Sequence, residues 1–166
     1  PDGTGTLALF GTGTAVATTS GTAHDFTEIP SWAKRITVMF NGVSTTGTNP
    51  YQIQLGAGSV DAASYVTSCT SIQSALSSSQ SGTTGFYITT TANMGAASTL
   101  NGSVIFSLIS SNTWAGLGSL SRGAGDNTMF FVAGTKALSG TLDRLRITTA
   151  AGTETFDAGS INIMYE

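Results

Sequence analysis

The chain has 166 residues, of which 9% are charged and 40% hydrophobic, and its formal net charge is -3. A single domain of this length buries about 70% of its unfolded surface, so it needs no disulfide or metal for stability. The lone Cys69 excludes an internal disulfide or a multi-cysteine zinc cluster; scarce, unclustered Lys and Arg argue against a nucleic-acid partner; and without an apolar run of about 18 residues no membrane insertion is expected.

Threonine, serine and glycine supply about two-fifths of the residues. They are arranged as short apolar-polar alternations broken by glycine, with almost no stretch of helical period. The chain opens on Pro1-Asp2-Gly3 with neither Met nor a signal-peptide pattern, which reads as a fragment of something longer. Residues 1–20 are expected to lead in from an upstream stalk or domain, as two short extended stretches joined by glycine. The loose G-x-G spacings there precede no strand-loop-helix, so they mark no phosphate loop. Residues 21–166 are expected to form one C-terminal β-domain.

His24 is the sole histidine and is read as an exposed strand residue. Alternation sends the neighbouring Asp25 to the opposite face, where it is badly placed to orient an imidazole. Trp32, two residues after Pro30, reads as a structural corner first and a ligand platform second. The clearest strand is 34–40, with Ile36, Val38 and Phe40 on one face and Arg35, Thr37 and Met39 on the other. Asn41-Gly42 then signals a turn.

Tyr51-Gln52-Ile53-Gln54-Leu55 alternates equally well. Further strands are expected at 64–69, 86–90, 104–109, 129–133, 142–149 and 161–165. Between 68 and 84 the pattern is irregular: Ile72, Ala75 and Leu76 have helical spacing, and 77–82 reads as a serine-rich flexible loop. Residues 149–153 read as a hairpin connection from the 142–149 strand to Glu154-Thr155-Phe156. The last residues, 160–166, read as a true C-terminus finished by a paired strand. Many short strands with turn signals between them predict an all-β fold, an antiparallel, jelly-roll-like β-sandwich.

The 104–109 and 129–133 strands are apolar on both faces, whereas an antiparallel sandwich strand usually shows water one polar face. A subunit interface is the favoured cover, and burying even three such side chains contributes several kcal/mol at roughly 25 cal/mol per Å². Ile105, Ile109, Phe130 and Val132 are the interface candidates, with Arg144 and Arg146 beside them. Asp143 shares parity with Leu145 and Ile147 and is expected to be buried or interfacial, paired with an arginine.

No catalytic residues stand out, because the carboxylates are scattered and nothing marks a nucleophile. No metal site and no cofactor are expected; Asp126 and Asn127 could offer oxygen ligands to calcium, but a polar turn explains them equally. Sugar binding is better supported, since sugars are held by aromatic faces together with hydroxyl, amide and carboxylate groups. Tyr87, Trp114, Asp126 and Asn127 are the ligand-binding candidates, and Trp114 reads equally well as a strand residue packed at a sheet edge.

Four blocks carry a family resemblance. They are Asp25-Phe26-Thr27-Glu28-Ile29-Pro30-Ser31-Trp32 running on through Asn41-Gly42-Val43-Ser44, then Tyr51-Gln52-Ile53-Gln54-Leu55-Gly56, then Leu138-Ser139-Gly140-Thr141-Leu142-Asp143-Arg144-Leu145-Arg146-Ile147-Thr148-Thr149, and the ending Thr155-Phe156-Asp157-Ala158-Gly159-Ser160-Ile161-Asn162-Ile163. Together they resemble the C-terminal domain of tail fibre and tailspike proteins of tailed bacteriophages, from about residue 21 onward. The resemblance implies a β-sandwich at the distal end of a homotrimer, in the virion at the phage tail tip after assembly in the host cytoplasm. It implies contact with host bacterial surface polysaccharide. Depolymerase activity, where such proteins have it, belongs to an upstream β-helix, so no enzymatic motif carries over to this chain. Two alternatives stay open: a purely structural trimerisation cap, and a small glycan-cleaving enzyme.

Overall fold

A computed structural model describes residues 9–74, 76–96, 98–123 and 127–166. Its strands are β1 (Gly11–Thr12), β2 (Val16–Ala17), β3 (Ala23–Phe26), β4 (Arg35–Thr45), β5 (Tyr51–Ala57), β6 (Ser59–Val60), β7 (Val66–Gln73), β8 (Leu76–Gly82), β9 (Phe86–Tyr87), β10 (Leu100–Ser110), β11 (Thr113–Arg122), β12 (Met129–Ala137), β13 (Arg144–Thr149) and β14 (Phe156–Tyr165). The fold is an all-β antiparallel sandwich. A nine-stranded sheet runs β1-β14-β4-β10-β11-β12-β7-β8, with β2 also on β14. A five-stranded sheet runs β3-β13-β5-β6, with β9 also on β5.

Alternation decides the core. Ile36, Val38 and Phe40 of β4, Val104 and Phe106 of β10, and Phe130 and Val132 of β12 face inward from the larger sheet. Tyr51, Ile53, Leu55, Leu145 and Ile147 meet them from the smaller one. Phe86 is the hinge pin of this core, edge-on to Phe106 at 4.9 Å and to Tyr65 at 5.4 Å. Cys69 is buried here as an ordinary hydrophobe, and burial pushes its thiol up to about 12.

Several expectations change once the strands pair. Asn41-Gly42 is not a hairpin turn: β4 runs on to Thr45, and Gly42, at φ 65°, sits in a bulge where the register shifts against both β10 and β14. Gly159 of β14, at φ 90°, lies so close that a Cβ there would come within 2.4 Å of the Gly42 carbonyl oxygen. A turn-favouring dipeptide therefore serves as a bulge here, because β4 places one extra residue against both β10 and β14.

The 68–84 region is not irregular but a hairpin of β7 and β8, and the serines of 77–82 form its edge strand. Ala75 lies outside the described residues. Residues 149–153 do not close a hairpin: β13 belongs to the smaller sheet and β14 to the larger, so this segment crosses between layers. One long strand, β11, is marked in the sequence only by the strand reading of Trp114, and it lies inside the sheet between β10 and β12, not at an edge. Its inward positions include Gly116, where an added Cβ would meet the Phe86 and Phe106 rings at 2.7 and 2.8 Å. Glycine at a core position erased the apolar alternation that marks a strand.

The described residues of the 1–20 stretch are part of the larger sheet. β1 and β2 pair with β14, and the buried Thr18 donates its hydroxyl to the Ala158 carbonyl at 2.7 Å.

Candidate functional site

The two outward faces of the sandwich differ sharply in chemistry. On the larger sheet, β7, β10, β11 and β12 place Ser, Thr, Ala and large apolar side chains outward, with no charged residue at any outward position. Val66, Ile72, Ile109, Leu117, Met129 and Phe131 lie on this face, six of the nine exposed large hydrophobics among the described residues. At its centre Ile105, Leu117 and Phe131 line a shallow cavity of about 190 Å³. The cross-strand partners Ile105 and Leu117 make the contact across β10 and β11, and Leu117 continues to Ala133 on β12.

The interface candidates do not fall on one surface. Ile105 and Ile109 are on this apolar face, Ile109 at 59% exposure. Phe130 and Val132 are not: they are enclosed in the chain's own core, and the outward residues of β12 are Met129, Phe131 and Ala133. Arg144 and Arg146 belong to the smaller sheet, on the opposite side of the sandwich. There Arg144 pairs with Asp143 at 2.8 Å, and Arg146 pairs with Asp25 at 2.7 Å. Asp143 is half-buried; it lies just before β13, accepts from the Gly58 N–H, and takes its arginine from the next residue along the chain. That guanidinium, ahead of the Gly58 N–H, holds its carboxyl below the usual carboxylate range.

The outward face of the smaller sheet is polar. Parity puts Gln52 and Gln54 of β5, Arg146 and Thr148 of β13, Asp25 of β3 and Tyr87 of β9 on it, and Tyr87 stands directly opposite Gln52. Gln52 donates from Nε2 to the Thr149 carbonyl at 3.3 Å and accepts the Thr84 hydroxyl at 2.9 Å. Gln54 donates from Nε2 to the Thr84 carbonyl at 2.9 Å. A cleft of about 390 Å³ opens over Gln52, Gln54, Thr84, Arg146 and Thr148. A second cleft, of about 450 Å³, lies on the other flank of Thr84 and contains Tyr87, whose ring rests against Gly82.

Of the ligand candidates, Tyr87 is therefore half-exposed in a cleft, and Asn127 is exposed at the start of the approach to β12. Trp114 is not a platform: it is 3% exposed, on the inward side of β11, with its Nε1 buried and lacking a hydrogen-bond partner. Asp126 lies outside the described residues. Trp32 is a corner, in a turn closed by Ala33 N–H to Pro30 O at 2.9 Å, with its ring 5.5 Å from Tyr165. His24 is not exposed: it pairs with Ile147, turns inward and meets Phe156 edge-on at 4.8 Å. Asp25 does point the other way, as alternation requires.

The two glutamines were the overlooked residues. The signal was present, since the 51–55 alternation assigns both to one face, but alternation cannot tell that loops will cover that face. Among the described residues no group of three or more His, Cys, Asp or Glu is placed to hold a metal ion. The sequence matches no protein-family model and no curated protein.

Proposed function

We propose that this chain is the distal, receptor-binding and trimerising domain of a phage tail fibre or tailspike, working by contact with host surface polysaccharide and not by bond cleavage. One observation carries the reading: the charge-free outward face of β7, β10, β11 and β12, where six large hydrophobics stand exposed among serines and threonines. Large hydrophobics left exposed together on one sheet face mark an interaction site. Fully burying one side chain such as Leu117 or Phe131 contributes about 1.5–3 kcal/mol, so a handful per copy supports a stable assembly. The absence of charge on this face means that association pays no desolvation penalty for ions. The resemblance to phage tail tips supplies the copy number of three and the biological setting.

Light scattering coupled to size exclusion tests the assembly. A mass three times the 16.8 kDa of one chain supports it, and replacing Leu117 and Phe131 by serine then yields single chains. A parent protein that runs as a single chain at micromolar concentration overturns it.

A further inference from the structure

Gln52 and Gln54 point away from the core, yet they are only 3% and 7% exposed. Amides buried on an outward face, under turns that leave clefts above them, form a built recess and not a solvated surface. Both clefts fall within the roughly 300–1,000 Å³ of small-molecule sites, and Thr84 lines both. A ligand filling them together crosses over Thr84 and is longer than one ring.

We propose that the paired clefts flanking Thr84 form one binding site for a neutral oligosaccharide. This deepens the host-attachment reading and rests on it for its setting, while its chemistry comes from the site itself. A pyranose offers an apolar C–H face and a rim of hydroxyls that both donate and accept. Tyr87 supplies the aromatic surface for the first. The glutamine amides suit the second: an amide carries two N–H donors and two acceptor lone pairs, so Gln52, with one of each engaged, retains one of each. Gln54 has engaged one N–H with Thr84 and likewise keeps its second. Because Thr84 and Thr149 already hold these amides, a ligand meets them with little side-chain entropy left to lose.

Charge selects the class of sugar. Among the described residues Arg146 is the only charged one lining either cleft, and its two contacts to Asp25, each 2.7 Å, neutralise it. A uronate or phosphorylated sugar thus finds no unpaired cation, whereas a neutral one finds matched donors and acceptors.

The test uses the full chain on an array of neutral oligosaccharides (hexose, 6-deoxyhexose and N-acetylhexosamine types) alongside uronate-containing counterparts. At least one neutral oligosaccharide is expected to bind in preference to every acidic one. Titrating that sugar into isotope-labelled, unaltered protein should shift the Gln52 and Gln54 side-chain amide signals and the Tyr87 ring signals. Tyr87→Ala and Gln54→Ala should each weaken binding by about tenfold or more, which is about 1.4 kcal/mol. Retention of no neutral oligosaccharide, preference for an acidic one, or shifts that map elsewhere on the unaltered protein overturns the site, whether or not the variants fold. A trimer that binds sugar elsewhere, or prefers an acidic one, overturns this site alone; a trimer that binds no sugar removes polysaccharide contact with it and leaves the structural cap; and a single chain that binds at Thr84 overturns only the assembly.

Discussion

Asp25 and Arg146 stand opposite each other on the paired strands β3 and β13, and the guanidinium donates from Nε and an Nη to the two carboxylate oxygens at 2.7 Å each. The geometry is bidentate, but the side chains remain 40% and 38% exposed, so water screens the pair. Asp25→Asn should therefore cost only about 0.5–1 kcal/mol in urea denaturation, the upper part of the range for exposed pairs. The cost should shrink toward zero near 1 M salt, where the screening length falls to about 3 Å. A loss unaffected by salt would show that the pair acts through packing instead.

His24, one residue earlier, makes stability depend on pH. Its Nε2 is enclosed without a hydrogen-bond partner. Burial lowers its pKa from the ordinary 6.5, with the Asp25 charge opposing part of that effect. The unfolded chain then binds a proton more readily than the folded one, so the His24 contribution is fully present above about pH 6.5 and lost as pH falls through the lower folded value. His24→Phe keeps an aromatic ring against Phe156 and removes this dependence. Its melting temperature should fall less between pH 7 and pH 5 than that of the parent, and equal falls would refute the assignment.

Lys136 is nearly sealed, at 3% side-chain exposure, with its ammonium 2.6 Å from Asp61, 2.7 Å from the Ala63 carbonyl and 4.9 Å from the Tyr65 ring centre. Removing the carboxylate leaves a buried cation uncompensated. Asp61→Ala should cost about 2 kcal/mol, below the range for fully buried pairs because Asp61 still touches solvent. The Lys136 hydrogen bond, opposed by partial burial, holds the Asp61 carboxyl below its ordinary 3.8. Stability from this pair is therefore present above about pH 3.8 and lost as pH falls through the lower folded value. Acid titration of the unfolding midpoint should show this loss in the parent and not in Asp61→Ala.

Gly116 leaves room for the aromatic pair beneath β11. An alanine methyl would stand 2.7 and 2.8 Å from the Phe86 and Phe106 rings, closer than carbon atoms pack. Gly116→Ala should cost about 1–3 kcal/mol, the usual range for overpacking a core. Adding Phe86→Leu to that variant should recover part of the loss, and simple additivity of the two changes would argue against a steric cause.

The strands with one polar and one apolar face were legible from residue order alone. In 34–40 and 51–55 the alternation names the core side chains and, with them, the outward Gln52 and Gln54. Near the bulge the local signal misled, because Asn41-Gly42 has turn chemistry wherever it stands and only the strands on either side make it a bulge. Gly116 and Gly118 likewise hid β11, since the space they leave matters only once Phe86 and Phe106 stand against the first and Val104 against the second.

What residue order determined by itself is the architecture: a charge-poor, alternating, glycine-punctuated chain has little choice but layered β-strands, because period-two hydrophobicity buries only one side of an extended backbone. What only the tertiary structure decided is which side that is where both are apolar, sending Phe130 and Val132 into the core and leaving Phe131 outside. It also decided that loops close over Gln52 and Gln54. Periodicity records which side chains share a face, whereas the packing of the opposite layer settles which face meets water.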